Sequence, residues 1–445
     1  MENQLRELIF PLVDNLIIQL NDSIVNRDKK LINFFWIEVV VWRILTTFAA
    51  NLIAGLIKLL FERGYEGSFR ACSCCDQRMK FQRYSPRSII TTFGPTSFLR
   101  AYYYCSNCKN GFCPLDEQLQ LGSRQISPRL QRIIGVESAH LSFGVVEKNI
   151  LESFDLLISD EAIRQVSQQL GQQAKDWEDQ QALSYLDKPL PSKPQSQSKK
   201  TWILEIDGKM VGFQDGSWSE VKVGVIYELA HRVEPYGERK ELLKRELVAR
   251  RCGWREFVPL FWAAMQRAGI REGDHLVAIA DAAEGIESIF EFLAPQATRI
   301  RDFYHVAERI YAVGELRYGV GSKEAEQYIK VQLNRLKQSE VSRVIKSLTH
   351  LKFDREEEKV RRDQAVRYIE KNRKAMDYGK YEEEGLPLGS GAVEGGCKLI
   401  GYRTNGCGRR WEDTGCDKIV ALRAAVLNDR LGEILPKPVI EELAA

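Results

Sequence analysis

Three acidic residues and four cysteines carry the chemistry open to this chain. Asp207 ends the strand-like run TWILEID and is followed by Gly208, while Asp281 ends HLVAIAD, where Val277, Ile279 and Asp281 share one face of an alternating strand. Adjacent strand ends bring such groups together even when 74 residues separate them. Glu394, a further 113 residues on, opens a helix-like run inside LPLGSGAVEGGCKLIGYR, residues 386–403. A glycine inside a helix costs about 1 kcal/mol against alanine. The paired Gly395 and Gly396 therefore predict close approach of that helix to the strand ends, with Val393, Cys397 and Ile400 as its apolar stripe. Three carboxylates in one cleft repel one another unless divalent cations neutralise them, and hard oxygen ligands select Mg2+ or Mn2+. Two such ions about 3.5 to 4 Å apart can activate a water or a 3′-hydroxyl and stabilise the leaving oxygen in phosphodiester chemistry. Spacing alone does not establish the triplet, because an Asp ending a strand is ordinarily a turn residue.

Cys72 and Cys75 form one CxxC and Cys105 and Cys108 another, with strand formers between them. Two such knuckles can surround Zn2+ tetrahedrally, and a site with all four positions filled is structural. Cys74 and Cys113 are additional, so spacing leaves the ligand set open, although Cys74 would give a poorer knuckle. The N-terminus MENQLRELIF lacks the basic and apolar regions of a secretory signal, which predicts a reducing, cytoplasmic, nucleoid-associated setting and argues against disulfides. Net charge is only +3, but residues 70–132 carry ten Lys/Arg against three Asp/Glu. Arg78, Lys80, Arg83, Arg87 and Arg100 alternate there with Tyr84, Tyr102, Tyr103 and Tyr104, a pattern suited to phosphate contact with aromatic stacking or, more simply, to a solvated basic face.

The elements that must position these groups follow from composition and period. With 445 residues, 44% of them apolar, about three domains are expected. Residues 1–66 read as a helical packing or dimerisation region. Its stretch 34–61, interrupted by Glu38, Arg43, Asn51 and Lys58, predicts a buried or partner-packed helix and no membrane span. Residues 67–118 read as the zinc-bearing β unit and 119–185 as helices resembling a helix-turn-helix, with Ser142 and Ser159 as N-caps. The composition of 186–200 is that of a linker. Beyond it lies an α/β unit in two parts, 201–320 and 386–432, separated by charged helices over 321–385 and followed by a tail, 433–445. Within the first part, TWILEID, KMVGFQ and SEVKVGVIYEL read as neighbouring antiparallel strands, and TRIRDFYH as a later one.

The motifs EIDGK, AIADAAEGI, RDFYH and LPLGSGAVEGGCKLIGYRTNGCGRRW together resemble the DDE transposases of insertion sequences, most closely the ISKra-type family. CSCC, TTFGPTSFLRAYYYCSNCKNGFCPLDEQL and SPRL resemble that family's cysteine-rich segment, and the resemblance runs from about residue 70 to 430. It implies an RNase H-like catalytic domain with an all-α insertion, a triad of Asp207, Asp281 and Glu394 holding Mg2+ or Mn2+, and cleavage and strand transfer at terminal inverted repeats of double-stranded DNA. One departure is Ala282 and Ala283 after Asp281, where the family pattern is DGA with a following tryptophan. Asp302 and His305 form a DxxH similar to one recurrent in related transposases, as support for the site or as ordinary caps. Arg403, Arg409, Arg410 and Trp411 are placed to meet backbone phosphate and a displaced base, with Trp411 equally suited to a core. The synapsis of two DNA ends implies a homodimer or larger assembly. A DNA-binding protein derived from such an element, without turnover, is the alternative expectation.

Overall fold

A computed structural model of the chain describes residues 1–435 apart from 26, 123, 193–198, 235–236 and 407, and omits the side chains of 231–242 and 244. The centre of the 186–200 linker and the tail beyond 435 therefore lie outside the described residues. The chain is mixed α/β and divides into two compact units, Met1–Ser167 and Gln168–Ala445.

The first unit opens with α1 (Glu2–Val25) and α2 (Phe34–Phe61). They form an antiparallel hairpin, with Leu8 against Gly55 near one end and the Arg27 guanidinium over the Trp36 ring at the other. Asn33 starts α2 by accepting a hydrogen bond from the Trp36 amide at 2.9 Å. Toward its C-terminus α2 meets a core layer, where Ile57 and Phe61 join Ile89, Phe98 and Leu115, and in its first half Arg43 pairs with Asp155 at 2.9 Å. Across its whole length α2 buries Ile44 and Ala50, and α1 buries nothing. Of the expectation of a buried or partner-packed helix at 34–61, the burial within the chain is thus corrected, since the apolar stripe is wider than the cover it finds among the described residues. By length and composition both helices could cross a membrane.

Next come β1 (Phe69–Ala71), β2 (Arg78–Thr91), β3 (Gly94–Tyr104) and β4 (Gly111–Phe112), an antiparallel sheet in that order, then α3 (Pro114–Gln118), α4 (Pro128–His140), α5 (Phe143–Phe154) and α6 (Asp160–Tyr185). Ser159 accepts from the Ala162 amide at the start of α6, whereas Ser142 holds the cap position of α5 without a side-chain bond. The boundary between the two units falls inside α6, not at residues 186–200. The reason is visible at 185–192: Trp262 and Gln266 donate to the Tyr185 and Lys188 carbonyls, and the Glu272 amide donates to that of Pro191.

In the second unit β5 (Thr201–Gly212), β6 (Trp218–Glu234) and β7 (Gly237–Arg250) lead through α7 (Trp254–Ala268) to β8 (His275–Ala280), α8 (Glu284–Leu293) and β9 (Thr298–Arg301). The sheet order is β7-β6-β5-β8-β9, antiparallel from β7 to β5 and parallel from β5 to β9. TWILEID and KMVG are one strand, so Asp207 does not end β5 but pairs with Val223 in its interior. DFYH is no strand either, because β9 stops at Arg301. The strand β7, whose ELLKREL reads as an amphipathic helix, was not foreseen. Alternation divides β5: Trp202, Leu204 and Ile206 pack with Phe257, Phe261, Ile286 and Phe290 of α7 and α8, which turns Glu205 and Asp207 to the other face.

Residues 303–385 contain α9 (Phe303–Tyr318), α10 (Lys323–Lys337), α11 (Val341–Thr349), α12 (Glu356–Asn372) and α13 (Tyr378–Glu383). Tyr378 and Tyr381 donate to the carbonyls of Arg301 and Arg299 at 2.7 and 3.1 Å, covering the exposed edge of β9. The chain closes with α14 (Gly391–Thr404), α15 (Asp413–Leu427) and α16 (Leu431–Ile434).

Candidate metal centre and carboxylate cleft

The four paired cysteines come together. Cys72 Sγ lies 3.5 Å from Cys108 Sγ and Cys75 Sγ 3.6 Å from Cys105 Sγ, and all four sulfurs fall within 4.8 Å of one another. A tetrahedron with Zn–S near 2.3 Å has edges of about 3.8 Å, so the donor set fits Zn2+. Two matching knuckles build it, with the Cys72 amide donating to the Gln77 carbonyl, the Cys105 amide to the Asn110 carbonyl, and Asp76 and Lys109 both left-handed at φ 54° and 57°. A hydrogen bond from Asn107 draws the Cys75 thiol down to about 6, while burial pushes that of Cys108 up to about 12, so within the group Cys75 gives up its proton before Cys108. Cys74 is exposed and Cys113 stands before α3, both outside the cluster.

The acidic residues are placed by the parallel pairing of β5 with β8. The register runs to Glu205↔Ile279 and β8 ends at Ala280, so Asp207 and Asp281 each lie two residues past the last paired position, Asp207 still within β5 and Asp281 just beyond β8. Glu394 occupies the first turn of α14, and Cys397, one turn on, donates its thiol to Asp207 Oδ2 at 3.6 Å. Burial raises the Cys397 thiol, and both Asp207 and Glu394 raise it further, so the first and third acids flank one side chain. Lys398 Nζ lies 3.9 Å from Glu394 Oε2. Among the described residues the three carboxylates do not form a ligand group as tight as the cysteines.

The second acid faces its own cleft of about 520 Å³, lined by Asp281, His305, Glu308, Arg309 and Tyr368. Arg301 holds the Asp281 backbone by donating to its carbonyl, and its guanidinium is paired with Glu287 at 2.7 Å. Burial alone would lower the His305 pKa, but Asp302, Glu308 and Asp281 outweigh it and leave it raised. The DxxH thus divides its roles: Asp302 caps α9, accepting from the Tyr304 and His305 amides, while His305 turns its ring to the cleft.

What fixes α14 was missed by sequence reasoning. Its N-terminal amides are unsatisfied by the helix itself, and the carboxylate of Glu205 reaches from β5 to accept from the Val393 amide at 2.7 Å. Asp302 takes the preceding turn, accepting from the Ser390 amide at 2.7 Å and from its hydroxyl. Both carboxylates are fully buried, where the helix dipole favours negative charge. The signal available was a charged residue inside the apolar run WILEI. The glycines resolve unequally: a Cβ on Gly396 would meet Val225 at 3.0 Å and Val223 at 3.3 Å, whereas Gly395 has nothing within 4 Å. Close approach therefore explains Gly396 and not Gly395. Gly389 is a second tight point, its missing Cβ lying 2.7 Å from the Tyr304 ring.

Desolvation pushes the Glu205 carboxyl up to about 7 from 4.5, against bonds from Val393 and Tyr227. A raised folded pKa in an acid means the folded state binds the extra proton, so this contribution to stability is full below pH 4.5 and is lost as pH rises through about 7. The rise corresponds to about 3 kcal/mol. Thermal melts without added divalent cation should show stability falling from pH 5 to 7.5, and Glu205→Gln should flatten that slope.

The predicted phosphate contacts are mostly engaged elsewhere. Arg87 and Arg100 both pair with Asp116, tying β2 and β3 to α3. Arg403 is 2% exposed beneath the Trp411 ring, its pKa drawn down to about 10 by burial and by Arg409 and Arg423. Trp411 is itself buried, donating to the Thr404 carbonyl at 2.9 Å, and Arg409 donates to the Tyr402 and Arg403 carbonyls as a C-terminal cap of α14. Of these five, Arg403 and Trp411 are buried and corrected to core residues, while Arg87, Arg100 and Arg409 are engaged by Asp116 and by main-chain carbonyls. Arg83, beside Tyr102, and Arg410, over Trp218, remain exposed.

No curated protein matches the chain. A model of the Uncharacterised protein family (UPF0236) matches residues 28–433, a span that takes in the cysteine knuckles, the sheet and the helix bearing Glu394. By that match over most of its length, the chain belongs to the UPF0236 family.

Proposed function

We propose that the protein is a DNA transposase of the DDE kind, which cuts phosphodiester bonds at the ends of an insertion sequence and joins them to target DNA. The observation that carries this reading is that Asp207 and Asp281 each follow the last paired position of β5 and β8 by two residues, while Glu205 of the same β5 anchors the helix bearing Glu394. The sheet order, three antiparallel strands followed by two parallel ones, supports the RNase H-like core that the resemblance implies.

Mg2+ or Mn2+, when bound, would neutralise the carboxylates and the scissile phosphate and lower the pKa of the attacking water or 3′-hydroxyl. Asp207 would hold the ions from within β5, Asp281 from just beyond the end of β8 and Glu394 from the helix. Ion binding then requires Cys397 to release Asp207, and Glu394 to leave Lys398. His305, whose protonated form is favoured by Asp302, Glu308 and Asp281, would face a phosphate of the flanking strand. Arg83 and Arg410 offer exposed guanidinium groups to the backbone, and α4 to α6 a helical DNA-reading unit.

The alternative reading, a DNA-binding protein without turnover, is favoured by the looser grouping of the three carboxylates, which among the described residues do not converge as the cysteines do. Labelled terminal DNA incubated with Mg2+ tests the choice. Nicks ending in a 3′-hydroxyl, followed by covalent joining to a second duplex, are expected; binding with no cleavage in Mg2+ or Mn2+ would establish the alternative, and cleavage without joining a nuclease.

A further inference from the structure

We infer that Arg309 grips a backbone phosphate of bound DNA in the Asp281 cleft, its guanidinium held ready on the ring of Tyr368. The inference rests on the DNA reading given above, which the cleaving and the non-cleaving alternatives share, and not on turnover.

Two helices bring the pair together. α9 enters the cleft with His305, and Arg309 follows four residues later on the same face of the helix. α12 supplies Tyr368. Three residues further along α12, Lys371 Nζ lies 3.5 Å from an oxygen of Glu284, which starts α8 just after Asp281, so α12 reaches the loop that carries the second acid. The Arg309 guanidinium carbon stands over the Tyr368 ring, 3.7 Å from its centroid. Stacking occupies the flat face of the guanidinium and leaves its edge of N–H groups free to donate. An arginine fixed in this way gives up less side-chain freedom when a ligand arrives.

The neighbouring charges name the ligand. Both acids of the cleft are engaged: Glu308 Oε2 lies 3.2 Å from His305 Nδ1, and Asp281 accepts from the Ala283 amide at 3.0 Å. Arg309 forms no ion pair among the described residues, whereas nearby Arg301 is paired with Glu287 at 2.7 Å. A planar fork of donors without a carboxylate matches the paired oxygens of a phosphodiester, which it meets through two parallel hydrogen bonds. The bland role, a stack that merely fastens α9 to α12, makes a different prediction: loss of Arg309 would then lower the melting temperature and leave DNA affinity alone.

Fluorescence anisotropy with a labelled duplex carrying the element's end, without added divalent cation, reads the contact apart from cleavage. Arg309→Ala should weaken binding at least about tenfold. It should also lower the slope of log affinity against log salt by about 0.9, the share of one phosphate. Arg309→Lys should keep the slope and lose part of the affinity, because the charge remains and the fork does not. Tyr368→Phe should bind like the parent, whereas Tyr368→Leu should weaken binding about threefold and add nothing to Arg309→Ala. Single methylphosphonates, each neutralising one phosphate, should reveal a position that weakens the parent and leaves Arg309→Ala unchanged. Parental affinity and slope in Arg309→Ala, or full additivity with Tyr368→Leu, overturns the inference and leaves the DNA reading standing. A parent that binds no duplex overturns both.

Discussion

Asp281→Asn should lower Mg2+-dependent cleavage of terminal DNA by at least about a thousandfold, a loss of roughly 4 kcal/mol in transition-state stabilisation. The substitution keeps the shape of the side chain and its acceptor for the Ala283 amide while removing the charge that a divalent cation needs. Asp207→Asn and Glu394→Gln should each cost about as much, and any two together little more, because the three act on one reaction as a unit. Asp302→Ala should lower cleavage less, by about 10- to 100-fold, as supporting groups behind metal ligands do. It would leave the Ser390 amide and the start of α14 without their acceptor. DNA binding should persist in every variant. A triad variant that cleaves within tenfold of the parent would sink the catalytic assignment.

The second large effect belongs to the cysteines. A structural zinc contributes about 10 to 16 kcal/mol of apparent binding energy at neutral pH, all of it available to folding. The core cluster at the zinc end of the sheet buries Cys72, Met79, Ala101, Tyr103 and Cys105, a small set to hold the knuckles without an ion. Elemental analysis should find one zinc per chain. Cys105→Ser or strong chelation should remove it and open residues 67–118 to proteolysis, while Cys74→Ser and Cys113→Ser retain it. Equal zinc in Cys105→Ser and the parent would show that the ion, if any, is held elsewhere.

How much of this was legible depended on how local each determinant is. The zinc ligands follow from two short spacings, and the geometry merely chooses among six nearby cysteines. The stripe Val393, Cys397 and Ile400 could be read because one helix period generates it, and all three are buried. Glu205 could not, since its partners are the Val393 amide, 188 positions away, and Tyr227 on the adjacent strand. Arg87 and Arg100 looked like phosphate ligands because nothing nearby in sequence announces Asp116 as their shared counter-ion. The strand β7 was lost for a related reason. Its ELLKREL has a helical period, and it is pairing with β6 that makes the segment extended.

The bonds from Ser390 to Asp302, with the Phe303 amide donating to the Leu388 carbonyl at 2.9 Å, also bear on ancestry and engineering. They staple together the entrance and exit of everything between, so the long excursion leaves and rejoins the sheet side by side. Lengthening a chain between fixed ends adds only about 0.6 kcal/mol per doubling. The outer helices α10 and α11 are therefore the exchangeable part, provided that α9 and α12 keep His305 and Tyr368 at the Asp281 cleft and α13 keeps hydroxyl donors like those of Tyr378 and Tyr381 at the β9 margin.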